Sequence, residues 1–366
     1  MNRSLTVLMD GWSLVYQPNS PAALHLLALL ANHPEQAKVI LALPGEAPDW
    51  LPANFSLLIR RTPDNVAARL LWEQRTLPEL AKQAKADVVH LFGMHPALFT
   101  SIPTLVSPAE YPEAARVVGF INRLRVSLSA GGMARGGSLL WPSDLPEAPA
   151  QTRCLLSAPV SPLVVEEMGA GIQAELARLD LPETFILYHG SAGEEELRRL
   201  LEAFSWAAGP LGSEYPLVVL GLDAAGRSRI TRLLEEYGLE SRVRLLPLVK
   251  PGVIPEIYRR STVVFHPDET PAWGGPLRLA LATARPLVAG ETALADALVG
   301  PAAYLAALTQ PRALGAALIT LVVETDLAER LSTAARQRAA RWEGLTFREG
   351  LWKVYCALQA SAMRQS

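Results

Sequence analysis

Cysteine is nearly absent. Cys154 and Cys356 are the only two thiols, far apart and without metal-ligand spacing, so they are expected to be reduced structural groups rather than a disulfide framework or a zinc cluster. An excess of charge of either sign is missing too. The chain has 34 Lys and Arg against 36 Asp and Glu, a formal net charge of -2, and its arginines lie along helical stretches beside glutamates. That pattern reads as solvated helix faces and argues against nucleic acid as a partner. No apolar run approaches the ~20 residues that cross a bilayer without an interrupting charge or Pro/Gly signal, so no transmembrane segment is expected. The opening MNRSLTVLMDGW meets Asp10 too soon to be a signal peptide and reads as a first buried strand in a cytoplasmic protein. There is no Walker phosphate loop, HExxH motif or nucleophile elbow, and the 6 histidines lack ligand spacing, so no metal is implied.

What is present is apolar residues, at 50%, with 19% charged residues over 366 positions: a globular chain long enough for two domains. In the first half the strand candidates are Leu5–Met9, Val39–Leu43, Phe55–Ile59, Val88–Leu91 and Thr104–Ser107. Ala22–Ala31 and Val66–Ala84 carry apolar residues at three-to-four spacing, which predicts helices over a parallel sheet. Gly131–Gly137 and Pro142–Pro149 read as irregular, Pro159–Pro162 as the domain junction, and Val165–Leu179 as a helix.

The second half repeats the alternation. Strands are expected at Phe185–Tyr188, Leu217–Leu220, Val243–Leu246, Val263–Phe265 and Leu287–Ala289. Helices are expected at Glu194–Ala208, Arg227–Tyr237, Ile254–Arg260 and Leu277–Ala284. Helical patterns follow at Pro311–Val322, Asp326–Arg341 and Trp342–Ala362. The fold class is therefore α/β, with two doubly wound Rossmann-like domains facing a cleft: 1–160, a junction at 161–182, 183–345, and a terminal helix at 346–366 packing back on the first domain.

In open α/β sheets ligands sit beyond the carboxyl ends of the strands, where helix amino termini favour anions. On the second domain these positions are Gly190–Glu196, the Gly221 turn, Pro247–Val253, His266–Gly275 and Gly290–Thr292. The segments FILYHGSAGEEELRRLLEAF and VVFHPDETPAWGGPLRLALATARPLVAG, with LVVLG and GLESRVRLLPLV between them, resemble the donor domain of the retaining glycosyltransferases of family 4. The resemblance spans about Phe185–Tyr355, with a weaker echo in WEQRTLP, DVVHL and IPTLVSPAEYP of the first half. It implies the GT-B fold and a nucleoside-diphosphate sugar as donor substrate, with no separate cofactor.

Against that family pattern the site residues depart in several places. The basic pair that grips the diphosphate gives way to Gly190, Ser191 and then Glu194, Glu195 and Glu196. Carboxylates there repel a diphosphate, although negative charge in a helix's first turn also has a local explanation. The family's two glutamates fall on Pro271 and Leu279, neither of which can accept from a ribose hydroxyl. Asp268 and Glu269, just upstream, are candidate substitutes, or else caps and solvent-facing groups. Trp273, Gly274 and Gly275 fit a sugar-approaching loop, and Trp273 equally fits packing between domains.

In the first domain the expected Gly-rich loop reads Gln17, Pro18, Asn19, Ser20, Pro21, with no glycine after Gly11. The family's His–Asp pair maps to Ala109 and Glu110. Asp10–Gly11 suits binding or a tight turn. His90 and His95 read as structural, and His266 as structural or ligand-facing. Arg198, Arg278 and Lys250 are the cations available as replacements.

The expectation is a glycosyltransferase-like protein with an impaired nucleotide-sugar site, recognising a glycan or steadying an active glycosyltransferase partner, or assembling as a homo-oligomer. The alternative is an active retaining hexosyltransferase for a glycan, lipid-linked or polyol acceptor, with Glu110, Asp268 and Glu269 near the chemistry. Its donor would line Gly11, Gly190, Ser191, Gly221, His266, Trp273, Gly274, Gly275 and Arg278.

Overall fold

The computed structural model describes residues 5–111, 119–145, 152–156, 170–342 and 344–364. The chain divides into two compact units, Met1–Pro159 with Glu343–Ser366, and Val160–Trp342. Each is a Rossmann-like α/β unit built on a wholly parallel sheet.

The first unit orders its strands β3-β2-β1-β4-β5-β6-β7. These are β1 Leu5–Asp10, β2 Ala37–Leu43, β3 Ser56–Ile59, β4 Val88–Leu91, β5 Thr104–Val106, β6 Gly137–Pro142 and β7 Thr152–Leu156. β1 and β4 are buried almost throughout, as strands covered on both faces must be. The helix Pro21–Ala31 starts on a Ser20 hydroxyl that accepts from the Ala23 amide, with Pro21 at a position whose missing N–H is harmless. The helix Gly344–Met363 returns to this unit and lies against β4 and β7. Its Tyr355 hydroxyl meets His90 Nδ1 at 2.8 Å, and Gln359 donates to Asp87 at 2.8 Å.

Two stretches differ from expectation. Val66–Ala84 is interrupted: helix Val66–Leu71 passes into a π-helical turn, Trp72–Thr76, before helix Leu77–Gln83. Pro78 has no N–H to continue the i to i−4 ladder, and the Leu77 amide instead reaches back five residues to the Trp72 carbonyl. Gly131–Gly137, expected to be irregular, lies in the helix Phe120–Gly136 and at the start of β6. Gly132 explains this, because a Cβ there would stand 2.6 Å from the Pro96 carbonyl oxygen; it is a close-packing glycine rather than a turn. β6 then runs to Pro142, while 146–149 of the expected Pro-rich irregular segment, the junction at Pro159–Pro162, and 165–169 of the expected helix lie outside the described residues.

The second unit orders its strands β10-β9-β8-β11-β12-β13. They are β8 Ile186–Tyr188, β9 Leu217–Val219, β10 Val243–Leu245, β11 Val263–His266, β12 Leu287–Glu291 and β13 Tyr304–Ala307. Helix Glu194–Leu211 buries Leu197, Leu200, Leu201 and Phe204, spaced one helical face apart, against this sheet. Helix Ala224–Tyr237 is capped by the Asp223 carboxylate on the Gly226 amide, 2.6 Å, and ends on Gly238 at φ +63°. β13 and the helix Ala293–Val299 were not anticipated, because YLAA and ALADALV are short and weakly patterned.

Candidate functional site

In the second sheet the strand order reverses between β8 and β11, the point where such sheets bind ligands beyond the strand ends. That crevice is bridged from within. Tyr188, the last residue of β8, is fully buried, and its hydroxyl lies 2.5 Å from Asp268 Oδ2 and 2.9 Å from the Ser191 carbonyl. The Ser191 amide donates to the same Asp268 oxygen at 3.3 Å. The Ser191 loop N–H therefore faces a carboxyl group of the protein itself. Gly190 is enforced by the same ring, since a Cβ there would stand 2.2 Å from Tyr188 Cζ.

Asp268 is 1% exposed, and burial pushes its carboxyl up to about 7, against the Tyr188 hydrogen bond and the charge of Arg199. Arg199 Nη1 is 3.9 Å from Asp268 Oδ1 and also donates to the Pro267 carbonyl at 3.3 Å. Among the described residues it is the cation that ion-pairs Asp268. Arg198 points its charge elsewhere, to Glu236 at 2.5 Å and Glu194 at 3.6 Å, and Glu194 is also paired with Arg232. Arg278 is buried; it donates to the Ala272 carbonyl at 3.1 Å from Nη2 and stacks over Trp273 and Trp342. It thus braces the 270–274 loop. Lys250 is exposed, at the start of a 3-10 turn.

The other donor-side candidates are scattered around this bridge. His266 ends β11 fully buried, and burial lowers its pKa to about 3, so it is a neutral ring, in contact with the Glu269 backbone. Glu269 itself is exposed. Gly274 and Gly275 take φ +65° and +83° to start helix Gly275–Ala282, and Trp273 is buried. Gly221, at φ +86°, turns the chain after β9.

The first unit gathers a polar cluster at the carboxyl ends of β1, β4 and β5. Asp10 Oδ1 accepts from the Trp72 indole at 2.9 Å and the Trp12 amide at 3.1 Å, and burial raises its carboxyl to about 6. After β1, where the sequence already departs from a Gly-rich pattern, there is a short helix, Trp12–Tyr16, and Gly11 is tight, with a Cβ there falling 2.4 Å from Leu43. Arg69 ion-pairs both Glu110 and, at 3.3 Å, Glu73; Arg125 forks onto Glu73 at 2.7 and 2.8 Å. Burial would raise the Glu110 carboxyl, but Arg69, His95 and Arg125 together hold it down at about 2. His95 donates or accepts at Ser129 Oγ, 2.9 Å, with its other nitrogen 3.8 Å from Glu110.

Of the residues singled out in the sequence, the structure brings Asp10 near Trp72 and Arg69, with Glu110 paired to the same Arg69, and Ser191 onto Asp268 next to Gly190; Tyr188, Arg199, Arg69, Glu73 and Arg125, which complete these two clusters, are not among them. Tyr188 had a signal, since the last residue of a central strand faces the crevice; the arginines had none, because helix faces could not be fixed. Among the described residues no group of three His, Cys, Asp or Glu could hold a metal ion.

Residues 174–338 match the family model described as glycosyl transferases group 1. A search of curated proteins finds no match. Among solved structures, a sucrose-phosphate synthase from Thermosynechococcus elongatus is similar at 15% identity and TM-score 0.68, covering 98% of this chain and 100% of that one. WaaG, a glycosyltransferase involved in lipopolysaccharide biosynthesis, is similar at 16% identity and TM-score 0.69, covering 96% and 99%. Anabaena HepE in complex with UDP and glucose is similar at 14% identity and TM-score 0.68, covering 96% and 100%. The chain therefore has the GT-B fold of these proteins, and the part of it that resembles the glycosyl transferases group 1 family lies in the second unit. No helix among the described residues is long and apolar enough to cross a membrane.

Proposed function

We propose that the chain is a glycosyltransferase-like protein whose nucleotide-sugar site is impaired, and that it works in the cytoplasm by binding a glycan or steadying an active glycosyltransferase partner, alone or as a homo-oligomer. One observation carries this reading: Asp268 accepts from the Ser191 amide and the Tyr188 hydroxyl across the switch point of the second sheet. Above about pH 7, where Asp268 is ionised, a diphosphate arriving there meets a carboxylate where it needs a donor, and repulsion between like charges at close range amounts to roughly 4 kcal/mol at an effective dielectric near 20. Pro271 and Leu279 supply no replacement for ribose contacts. The Asp10 and Glu110 carboxylates of the first unit suit sugar hydroxyls, which donate, better than they suit phosphates.

Arg199 favours a second reading. With its side chain 27% exposed beside Asp268, it is a cation positioned to take up leaving-group charge once Asp268 moves aside or is neutral. In that case the chain is an active retaining hexosyltransferase, transferring from a nucleoside-diphosphate sugar to a glycan, lipid-linked or polyol acceptor, with Asp268 and Glu269 of the second unit near the reacting centre. Glycan-array binding by the intact chain, repeated with Glu110→Gln and run beside a product assay over a donor panel, separates the two. Specific glycan capture that weakens in the variant, with no product from any donor, supports the first reading; turnover with any donor sinks it.

A further inference from the structure

The second sheet carries a polar groove at the end opposite its crevice. Thr262 and Pro286 immediately precede β11 and β12, so they mark the amino ends of those strands. There they meet helix Thr325–Ala339, and a groove of about 480 Å³ lies between. Ala284, at φ +53°, turns the chain out of helix Gly275–Ala282 and brings Arg285 to the groove. The helix contributes Ser332 and Arg336, four residues apart on one face, with Thr333 beside them.

Positive charge in this groove lacks a counterweight. Arg285 is half-buried; its Nη1 donates to the Ser261 carbonyl at 3.3 Å, while its Nε is enclosed with no acceptor. Burial and then the like charges of Arg259 and Arg336 lower its pKa, and no carboxylate acts to raise it back. A guanidinium does not escape such stress by losing its proton, so the cost stands until an anion arrives. Arg259 is already met by Glu256. Arg336 is exposed and, among the described residues, has no ion pair; Glu329, the carboxylate lining the groove, pairs with neither Arg285 nor Arg336. The hydroxyls of Thr262, Ser332 and Thr333 make no hydrogen bond within the described residues either.

Two guanidiniums on separate elements, with three free hydroxyls around them, outnumber the two oxygens of a carboxylate and suit a tetrahedral dianion. The groove is larger than a bare phosphate, and Ala284, Pro286 and Ala328 give it an apolar wall for whatever the phosphate is attached to. We propose that this groove binds the phosphate monoester of a small molecule, with the dianion held between Arg285 and Arg336 and the hydroxyls of Ser332 and Thr262 donating to its oxygens. The site stands at the far end of the sheet from Asp268 and is independent of whether the crevice takes a sugar donor.

The test is isothermal titration of the full chain at about pH 8, where a phosphate monoester is a dianion, with inorganic phosphate and with ethyl phosphate, ionic strength being matched with chloride. Saturable binding of both is expected, ethyl phosphate at least as tightly as phosphate. Arg336→Glu, a change at an exposed and unpaired position, is expected to weaken both at least roughly tenfold. Arg285→Lys keeps the charge but loses the planar array of donors, and a weakening of roughly threefold or more is expected. Hydrogen exchange on the same samples locates the ligand: ethyl phosphate is expected to slow exchange in helix Thr325–Ala339 and to leave the loop at 189–193 unchanged. No saturable binding, affinity undiminished in Arg336→Glu, or protection confined to 189–193 would each overturn the proposal.

Discussion

Replacing Asp268 by Asn tests the bridge across the second sheet through its pH dependence. The carboxyl is buried and its pKa stands at about 7 against an ordinary 3.8, so the folded state holds a proton that the unfolded state releases near pH 4. The sign follows from that order. The contribution to stability is complete below the unfolded pKa, declines as pH rises through the interval, and is gone above the folded pKa. A shift from 3.8 to about 7 corresponds to about 4 kcal/mol between those limits. Asn keeps the shape and an oxygen that accepts from Tyr188 and Ser191, but it does not titrate. The assay is urea unfolding of both proteins at a series of pH values from about 4 to about 8, comparing them at each pH so that shared carboxylates cancel. Wild type is expected to lose ground to the variant steadily across the window and to stop losing it above about pH 7. A difference that stays flat, or one in which the variant loses ground as pH rises, would refute the account of a carboxyl held neutral by burial.

Other outcomes follow from the first unit. Arg125→Met leaves Glu73, buried beneath the helix Phe120–Gly136, paired with Arg69 among the described residues; a loss of about 3 kcal/mol is expected in urea unfolding, the scale for breaking a buried ion pair. Tyr355→Phe removes the hydroxyl from His90 Nδ1 and is expected to cost about 1–2 kcal/mol. Burial holds His90 at about 3, so its ring is neutral above pH 5 or so and the loss should be the same at neutral and mildly acidic pH, with faster hydrogen exchange in helix Gly344–Met363 as the local readout. Gly11→Ala drives a methyl into Leu43 and the Ala42 carbonyl, and about 1–3 kcal/mol of destabilisation is expected by thermal or urea unfolding.

Much of the fold was legible because parallel strands buried on both faces write themselves as short apolar runs. Leu5–Asp10, Val88–Leu91 and Val263–His266 fall within a residue of expectation at each end. What escaped was set by tertiary contacts. Glycines at 131 and 132 look like a loop until the Pro96 and Ala97 carbonyls are seen pressing on the helix, and no local pattern tells of that approach. The π-helical turn at Trp72–Thr76 was hinted at by Pro78, yet its consequence, turning Trp72 and Glu73 inward to meet Asp10 and Arg125, needs three dimensions. At the candidate site, the presence of Asp268 and of Ser191 near strand ends could be read directly from the chain. The partner that occupies the Ser191 amide could not, because Asp268 lies 77 residues away in sequence and reaches it only through strand order.

The central claim, that a carboxylate of the protein occupies the place of a donor phosphate, is tested most directly by isothermal titration of the intact chain with a panel of nucleoside diphosphates and their sugars, alongside Asp268→Asn. The account predicts no binding at micromolar concentrations by wild type at pH 8, and a measurable gain in the variant. Micromolar binding of an intact donor by wild type, weakened when Asp268 is replaced, would contradict it.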